Sequence, residues 1–169
     1  MDGDDEDEVL AFIEIPRGSR NKYEYDPATG RIVLDRVIYH SVVYPADYGF
    51  IPETLAGDGD PLDILVIVQE PTFPGCIVPA RPVGGLDMVD EKGTDFKIIA
   101  VPVGDPRYHH VRTMAALGEH RPKEIEAFFA TYKLLEDKNS DVLGWHDVDA
   151  AKQVIRECRE RYRQAHPQG

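Results

Sequence analysis

The chain has 169 residues, the length of one compact domain, and 42% hydrophobic with 30% charged residues exclude an intrinsically disordered chain. A formal net charge of −12 and a pI near 4.8 disfavour binding to nucleic acid, because the phosphates would be repelled. The two cysteines, Cys76 and Cys158, suit neither a disulfide framework nor a zinc site, and we expect buried free thiols.

The N-terminus is strongly acidic. Nothing apolar in residues 1–8 offsets the entropy of ordering, so we expect a disordered lead-in there and a single domain over residues 9–169. A secretory signal would instead be basic and then apolar. The longest uninterrupted aliphatic run, residues 64–68, is too short to span a bilayer. We therefore expect a cytoplasmic protein with no membrane segment.

Between Val9 and about Val103, short apolar or alternating segments are separated by Gly, Pro and Asp turns. This spacing predicts a small β-barrel. Lys22 and Glu24 alternate within a further segment and would lie on one face of a strand. The clearest predicted strands cover residues 10–15, 31–34, 64–69, 77–83 and 97–103.

After a turn at Asp105 and Pro106, the apolar residues follow a helical period. We predict a first helix that opens after Pro122 and a second that opens near Asp147. Both apolar faces indicate packing against a core rather than a cofactor site. They consist of Ile125, Phe128, Phe129, Tyr132 and Leu135 in the first helix, and of Val148, Ala151, Val154, Ile155, Cys158 and Tyr162 in the second.

Three carboxylates, Asp58, Asp60 and Asp63, occur within six residues directly before a predicted buried strand. Gly59 and Pro61 restrict the backbone between them. Two like charges about 4 Å apart repel by on the order of 4 kcal/mol at an effective dielectric of 20, which a bound cation would offset. Oxygen ligands favour a hard ion, Mg²⁺ or Ca²⁺. A plain solvated turn is the alternative for any isolated Asp-x-Asp sequence.

A second acidic segment, residues 90–97, contains three acids and ends in a lysine. Two such segments at the same end of a barrel would hold several metal ions. A helix-loop-helix calcium site is excluded, because Leu62, Asp63 and Gln69 stand where that loop requires Asp or Asn, Gly and Glu.

Candidate cationic partners for a phosphate group are scattered along the chain. Spacing alone does not show that Lys22, Arg36, Lys97 and Lys133 converge, and isolated basic residues usually serve surface solvation. Tyr132 belongs to the apolar face of the first predicted helix, which favours a packing role for it.

Together, these segments resemble the soluble, magnesium-dependent inorganic pyrophosphatases. The run Asp-Gly-Asp-Pro-Leu-Asp at residues 58–63 matches that family's characteristic segment without departure. The resemblance implies an α+β, mainly β fold: a small closed OB-like β-barrel with two C-terminal α-helices packed on it. Further matches cover most of the chain in the family's order, at residues 14–16, 21–24, 34–36, 44–45, 48–49, 89–97, 128–129 and 132–133.

The resemblance also implies the reaction, hydrolysis of inorganic pyrophosphate to two orthophosphates by metal-activated water, and a role for each site residue. Asp60 would be the general base. Asp58, Asp63 and Asp95 would ligate the activating metals, with Asp90 joining Asp95. Glu14 and Glu24 would hold water on the metals. The substrate-binding residues would be Lys22, Arg36, Tyr44, Tyr48, Lys97, Tyr132 and Lys133.

The implied cofactor is Mg²⁺, several ions per site, with Mn²⁺ or Zn²⁺ as possible substitutes, and the implied assembly is a homohexamer. We expect pyrophosphate as the partner and neither nucleic acid nor a membrane. Two other functional classes fit the sequence less well. A non-catalytic OB-barrel module that binds single-stranded nucleic acid or oligosaccharide would need exposed aromatics along a basic groove, where this chain has acids. A nucleotide-dependent phosphotransferase would need a G-x-x-x-x-G-K-[ST] loop, which the sequence lacks.

Overall fold

The computed structural model describes residues 7–136, 138 and 140–167 of the chain. This part contains eight strands, two α-helices and three short 3₁₀ turns. The strands are β1 (Val9–Ile15), β2 (Asn21–Asp26), β3 (Arg31–Val37), β4 (Asp47–Ile51), β5 (Leu62–Val66), β6 (Ile77–Asp90), β7 (Gly93–Pro102) and β8 (Ser140–His146), and the α-helices are α1 (His120–Thr131) and α2 (Val148–Ala165).

Five strands pair into a closed ring. β1 pairs with β4, β4 with β5, β5 with β7 and β7 with β6, and β6 returns to β1. The β5–β7 pair is parallel, and the other four are antiparallel. β8 pairs with the second half of β6, while β2 and β3 form a separate hairpin. A closed, mainly β arrangement followed by two helices confirms the predicted architecture.

Alternating burial explains why the ring forms. In β1, Val9, Ala11 and Ile13 are fully buried and alternate with more accessible residues, the period of a strand with one face in a core. Apolar side chains from all five ring strands form one core with Ala151 and Ile155 of α2. α1 packs against β5, β6 and β7 in a second core, so β5 and β7 are buried on both faces.

The two helices begin at recognisable signals. α2 starts as predicted, and the side chain of its N-cap, Asp147, accepts a hydrogen bond from the Ala150 amide at 3.0 Å. α1 starts at His120, slightly before the predicted position. Pro122 therefore lies in the first turn, where a missing N–H leaves no helical bond unmade.

The C-terminal end of α1 corrects the sequence prediction. The helix ends at Thr131, whose hydroxyl donates to a carbonyl one turn earlier at 2.6 Å, a bond that competes with helix continuation. Tyr132 is the C-cap and Lys133 follows it, so neither lies within the helix. Leu135 is 62% exposed in the 3₁₀ turn Leu134–Glu136 and is not part of the apolar face.

Some strand boundaries also differ. β4 and β8 were not predicted as strands, and β6 continues to Asp90, past its predicted end at residue 83. Gly84 and Gly85 lie within β6 because other side chains need their space. A Cβ on Gly84 would lie 2.3 Å from Met114 Cγ, and one on Gly85 would lie 2.2 Å from Phe96 Cζ.

Residues 1–6 of the predicted acidic lead-in lie outside the described part of the chain, and the Asp7 side chain bonds to Lys152 of α2. No helix among the described residues is both long enough and apolar enough to cross a membrane. Both cysteines are free thiols. Cys158 is buried as expected, and Cys76 is partly buried.

Candidate active site

Lys97 is the centre of a buried group of polar side chains. Its Nζ donates to Asp63 Oδ2 at 2.9 Å, to Asp95 Oδ2 at 3.0 Å and to the Tyr48 hydroxyl at 3.0 Å. Strand register explains the meeting, because Asp63 of β5 lies directly beside Lys97 of β7, and Asp95 is two residues earlier on the same face of β7. Lys97 is only 2% exposed, so it is held in place by these partners.

Proton affinities in this group follow from burial and neighbouring charge. Burial by itself lowers the pKa of Lys97, but the charge of Asp63, followed by Tyr48 and Asp95, outweighs burial and holds that pKa well above its usual value. Burial raises the pKa of Asp95, and the charge of Asp63 raises it further against the opposing effect of Lys97. The carboxylates of Asp63 and Asp95 therefore share the ammonium of Lys97 in a poorly hydrated part of the site.

Tyrosine hydroxyls line the same region. Tyr44 packs against Tyr48 and against Phe128 of α1, with ring centroids 5.6 Å and 4.6 Å apart, and Tyr132 stacks on Phe128 at 5.0 Å. Burial raises the pKa of Tyr132 to about 12 and raises those of Tyr44 and Tyr48 as well. All three hydroxyls therefore keep their proton at neutral pH and are available as hydrogen-bond donors.

A basic cluster forms between the β2–β3 hairpin and the end of α1. Lys22 and Arg36 lie directly opposite each other in the hairpin. Burial, and after it the positive charges of Arg36 and Lys133, lower the pKa of Lys22. The structure thus brings together basic residues whose convergence the sequence could not indicate.

Each cation of this cluster has an acidic neighbour. Lys22 Nζ lies 4.0 Å from Asp35 Oδ2, and Lys133 Nζ lies 4.0 Å from Asp90 Oδ2 and 3.8 Å from Glu91 Oε1. Arg36 Nη1 donates to an oxygen of Glu136 at 2.6 Å, and its Nε lies 3.5 Å from Asp35 Oδ2. Adjacent carboxylates therefore offset the positive charge of the basic cluster.

Glu14 connects the ring to the hairpin. Its Oε2 accepts a hydrogen bond from the Tyr25 amide at 2.8 Å. Burial raises the pKa of Glu14 to about 7, with smaller contributions from the charges of Asp63 and Glu24. The charges of both Asp63 and Glu24 therefore act on Glu14, which lies between the ring and the hairpin.

Asp58 and Asp60 are exposed in the connection between β4 and β5. Asp58 Oδ1 accepts from the Asp60 amide at 3.0 Å, so the two acids belong to one local turn. Among residues 7–136, 138 and 140–167, no three His, Cys, Asp or Glu side chains are arranged to hold one metal ion. The meeting of Asp58 with Asp63 and Asp95 stays a prediction.

Asp63 and Asp95 nevertheless have the donor chemistry that a hard divalent cation requires. Both present carboxylate oxygens, and burial together with the charge of Asp63 raises the pKa of Asp95, so added positive charge would stabilise the pair. They already bind one cationic group, the ammonium of Lys97. The donor set at this position therefore fits Mg²⁺.

A family model described as inorganic pyrophosphatase matches residues 11–163 of the chain. The chain belongs to the inorganic pyrophosphatase family. Similar members are an inorganic pyrophosphatase of Synechocystis sp., 54% identical over 155 residues that cover 92% of each chain, and one of Methanosarcina mazei, 53% identical over 151 residues that cover 89% of each.

Solved structures agree with this assignment. The crystal structure of the inorganic pyrophosphatase from Thermus thermophilus matches with a TM-score of 0.91 and 49% identity, covering 93% of this chain and 92% of that one. The family, the enzyme class of inorganic diphosphatase and the fold class expected from the sequence are confirmed.

The sequence alone indicated no role for several residues that shape the site. Asp35, Glu91 and Glu136 are the acids that pair with the basic cluster. Asp35 adjoins Arg36 in the sequence, whereas Glu136 pairs with Arg36 across 100 positions, a contact that no local spacing indicates.

Thr54 is a further residue that the sequence did not indicate. Its buried hydroxyl donates to the Ile51 carbonyl at 2.5 Å and accepts from the Leu62 amide at 3.0 Å. It thereby joins the two ends of the connection that carries Asp58 and Asp60. No sequence pattern distinguishes this threonine from a solvated one.

Proposed function

We propose that this chain hydrolyses inorganic pyrophosphate to two orthophosphates, with several Mg²⁺ ions per site. The observation that supports this best is that one region contains both cations suited to phosphate and carboxylates suited to metal ions. The cations Lys22, Arg36 and Lys133 suit phosphoryl oxygens, and the carboxylates Asp63 and Asp95, paired with Lys97, suit divalent ions. Two packed rings connect the groups: Lys97 Nζ lies 5.1 Å from the Phe129 ring centroid, Lys133 Nζ lies 5.4 Å from that of Tyr132, and the two centroids are 5.7 Å apart. A substrate that arrives as a magnesium–diphosphate complex needs both.

The metals would be held by Asp58, Asp63, Asp90 and Asp95, with Glu14 and Glu24 in the surrounding layer. Mn²⁺ or Zn²⁺ would substitute at the same oxygens. When bound, divalent cations would supply Lewis-acid charge and lower the pKa of the attacking water.

The chain's own residues would perform three tasks. Asp60 would accept the proton of the attacking water, because its carboxylate is exposed and forms no salt bridge with the described basic residues. Lys22, Arg36 and Lys133 would bind oxygens of the two phosphoryl groups and offset charge as the bridging bond breaks. Neutral hydroxyls of Tyr44, Tyr48 and Tyr132 would donate hydrogen bonds to the same oxygens or to one another, and Lys97 would bind phosphate while holding Asp63 and Asp95 together.

Assembly and location are part of the proposal. We infer a homohexamer in the cytoplasm. Large apolar side chains that are 40% or more exposed, such as Leu10, Phe73 and Ile77, support burial against other copies. Light scattering should give six times the 19.0 kDa mass of one chain, and a mass of one chain would contradict the assembly but not the reaction.

The reaction is tested by phosphate release. Purified protein, incubated with pyrophosphate and Mg²⁺, should release two phosphates per substrate, and EDTA should stop the release until excess Mg²⁺ restores it. A matched incubation with a short single-stranded DNA or an oligosaccharide tests a binding module of the same fold. Binding of either polymer without phosphate release would refute the proposed function.

A further inference from the structure

Glu136 lies next to the basic cluster, and the reaction described above assigns it no task. It ends the 3₁₀ turn Leu134–Glu136, directly after Tyr132 and Lys133. Its Oε1 accepts a hydrogen bond from Arg36 Nη1 at 2.6 Å, between residues that are 100 positions apart in sequence. The Glu136 side chain is 7% exposed and that of Arg36 is 26% exposed.

Burial makes this pair different from a surface ion pair. A nearly buried carboxylate is costly unless a donor satisfies it, and here the donor is Arg36. The backbone that presents Glu136 is also fixed, since the Glu136 amide donates to the Lys133 carbonyl at 3.0 Å. Glu136 is therefore a well-placed anchor for a long and otherwise flexible guanidinium.

Among the described residues, Arg36 contacts only Glu136 closely, through Nη1. Glu136 uses Nη1, whereas the contact of Nε with Asp35 is long, at 3.5 Å, and the Asp35 side chain is 38% exposed. A guanidinium has five N–H donors in a fixed plane, so the Nη2 and Nε edge remains able to bind two oxygens of a phosphoryl group. Fixing Nη1 sets the direction in which that edge points.

We propose that Glu136 is a positioning residue that orients Arg36 to bind a phosphoryl group of the substrate. This inference rests on the proposed function of the site. Pre-orientation lowers the entropy lost on binding, so its removal acts mainly on substrate affinity. The opposite role, in which Glu136 competes with phosphate for Arg36, would make its removal strengthen binding.

Steady-state kinetics with magnesium pyrophosphate distinguish the two roles. Glu136→Ala should raise KM about tenfold and change kcat by less than about threefold, because one orienting bond is lost and the other groups remain. Glu136→Gln keeps an acceptor oxygen and should raise KM roughly threefold. The control Glu124→Gln removes an exposed acid from neighbouring α1 and should change neither constant. An unchanged or lower KM in Glu136→Ala would overturn the proposal; if that variant does not fold, Glu136→Gln decides in the same way.

A double-mutant cycle tests whether Glu136 acts through Arg36. In an Arg36→Ala background, Glu136→Ala should have no further effect on KM, because the side chain to be oriented is absent. A purely structural role for Glu136 would raise KM again in that background and would refute the inference.

Calorimetric binding of inorganic phosphate separates this inference from the proposed function. If the wild-type chain releases no phosphate from pyrophosphate, the proposed function fails. Phosphate binding that is weaker in Glu136→Ala than in wild type would still support orientation of Arg36, and equal or tighter binding would still overturn it.

Discussion

Lys97 and Asp60 show how differently two residues of one site are held. Lys97 is almost fully buried between two carboxylates and a tyrosine hydroxyl, so its position is fixed before any ligand binds. The Asp60 side chain is exposed, and its turn is held by the backbone: the Asp60 amide donates to Asp58 Oδ1, and the Asp60 carbonyl accepts from the Ala56 amide at 2.7 Å. A buried ammonium such as that of Lys97 is already in position to bind substrate, whereas a general base such as Asp60 needs a carboxylate that is free to accept a proton.

This difference predicts the effect of Asp60→Asn. The substitution preserves shape but removes proton acceptance, so kcat should fall by roughly 100-fold or more with the melting temperature unchanged. Phosphate release with Mg²⁺ measures the first and thermal unfolding the second. Glu53→Gln, which removes an exposed acid from the same β4–β5 connection, is the control and should retain activity. Full activity of Asp60→Asn would remove Asp60 from the role of base.

Glu14 predicts a pH dependence of stability. Its pKa is about 7 in the folded chain, raised by burial from 4.5. Between these values the folded state keeps a proton that the unfolded state has lost. The stability from protonated Glu14 is therefore fully present below about pH 4.5 and is lost as the pH rises through about 7.

Glu14→Gln should remove this dependence, because glutamine cannot ionise. In EDTA at pH 8, the variant should be more stable to urea than wild type by about 2 kcal/mol, and the advantage should vanish near pH 4.5. The exposed Glu70→Gln serves as control and should show no such difference. An advantage of equal size at both pH values would rule out ionisation of Glu14 as its cause.

At the scale of elements, strand register assembles the site. Asp63 meets Lys97 because β5 and β7 are parallel neighbours, although β6 lies between them in the sequence. Alternating apolar residues predicted most ring strands but could not indicate which ones pair, since every strand has the same period. β4 escaped prediction partly because it starts at Asp47, a fully buried acid bonded to the Arg17 and Thr72 amides.

The β1–β4 pair predicts the effect of Gly49→Ala. A Cβ at this position would lie 1.8 Å from the Phe12 carbonyl oxygen of β1, so the two strands must separate. We expect a loss of several kcal/mol in unfolding free energy, or no folding, measured by urea denaturation. Gly57→Ala is the matched control, because its Cβ would meet nothing within 4 Å. Equal stability of the two variants would show that this approach of β1 and β4 is not needed.

At the scale of the whole molecule, the β2–β3 hairpin packs on the ring, and the basic cluster depends on this packing. Phe12 of β1 contacts Tyr25 and Phe50 with ring centroids 4.9 Å from each, and the Tyr25 amide binds Glu14. These contacts place Lys22 near Lys133. The aspartate segments were recognisable because their spacing is local, whereas the basic cluster depends on contacts between distant parts of the chain, which spacing cannot encode.

The net charge of −12 predicts how salt affects the whole chain. Like charges spread over the surface repel within the folded state, and salt shortens the screening length from about 30 Å at 0.01 M to about 3 Å at 1 M. In EDTA at pH 7.5, this increase in NaCl should raise Tm by a few degrees, on the order of 1 kcal/mol.

The same salt increase near pH 5, close to the pI of about 4.8, should raise Tm much less, because the net charge is small there. Any general effect of NaCl on apolar burial is common to both pH values, so the difference between the two shifts isolates the charge term. The buried pairs of Lys97 with Asp63 and Asp95 are poorly screened and should contribute little to either shift. A fall in Tm with NaCl at pH 7.5 would mean that attraction between opposite surface charges outweighs the repulsion.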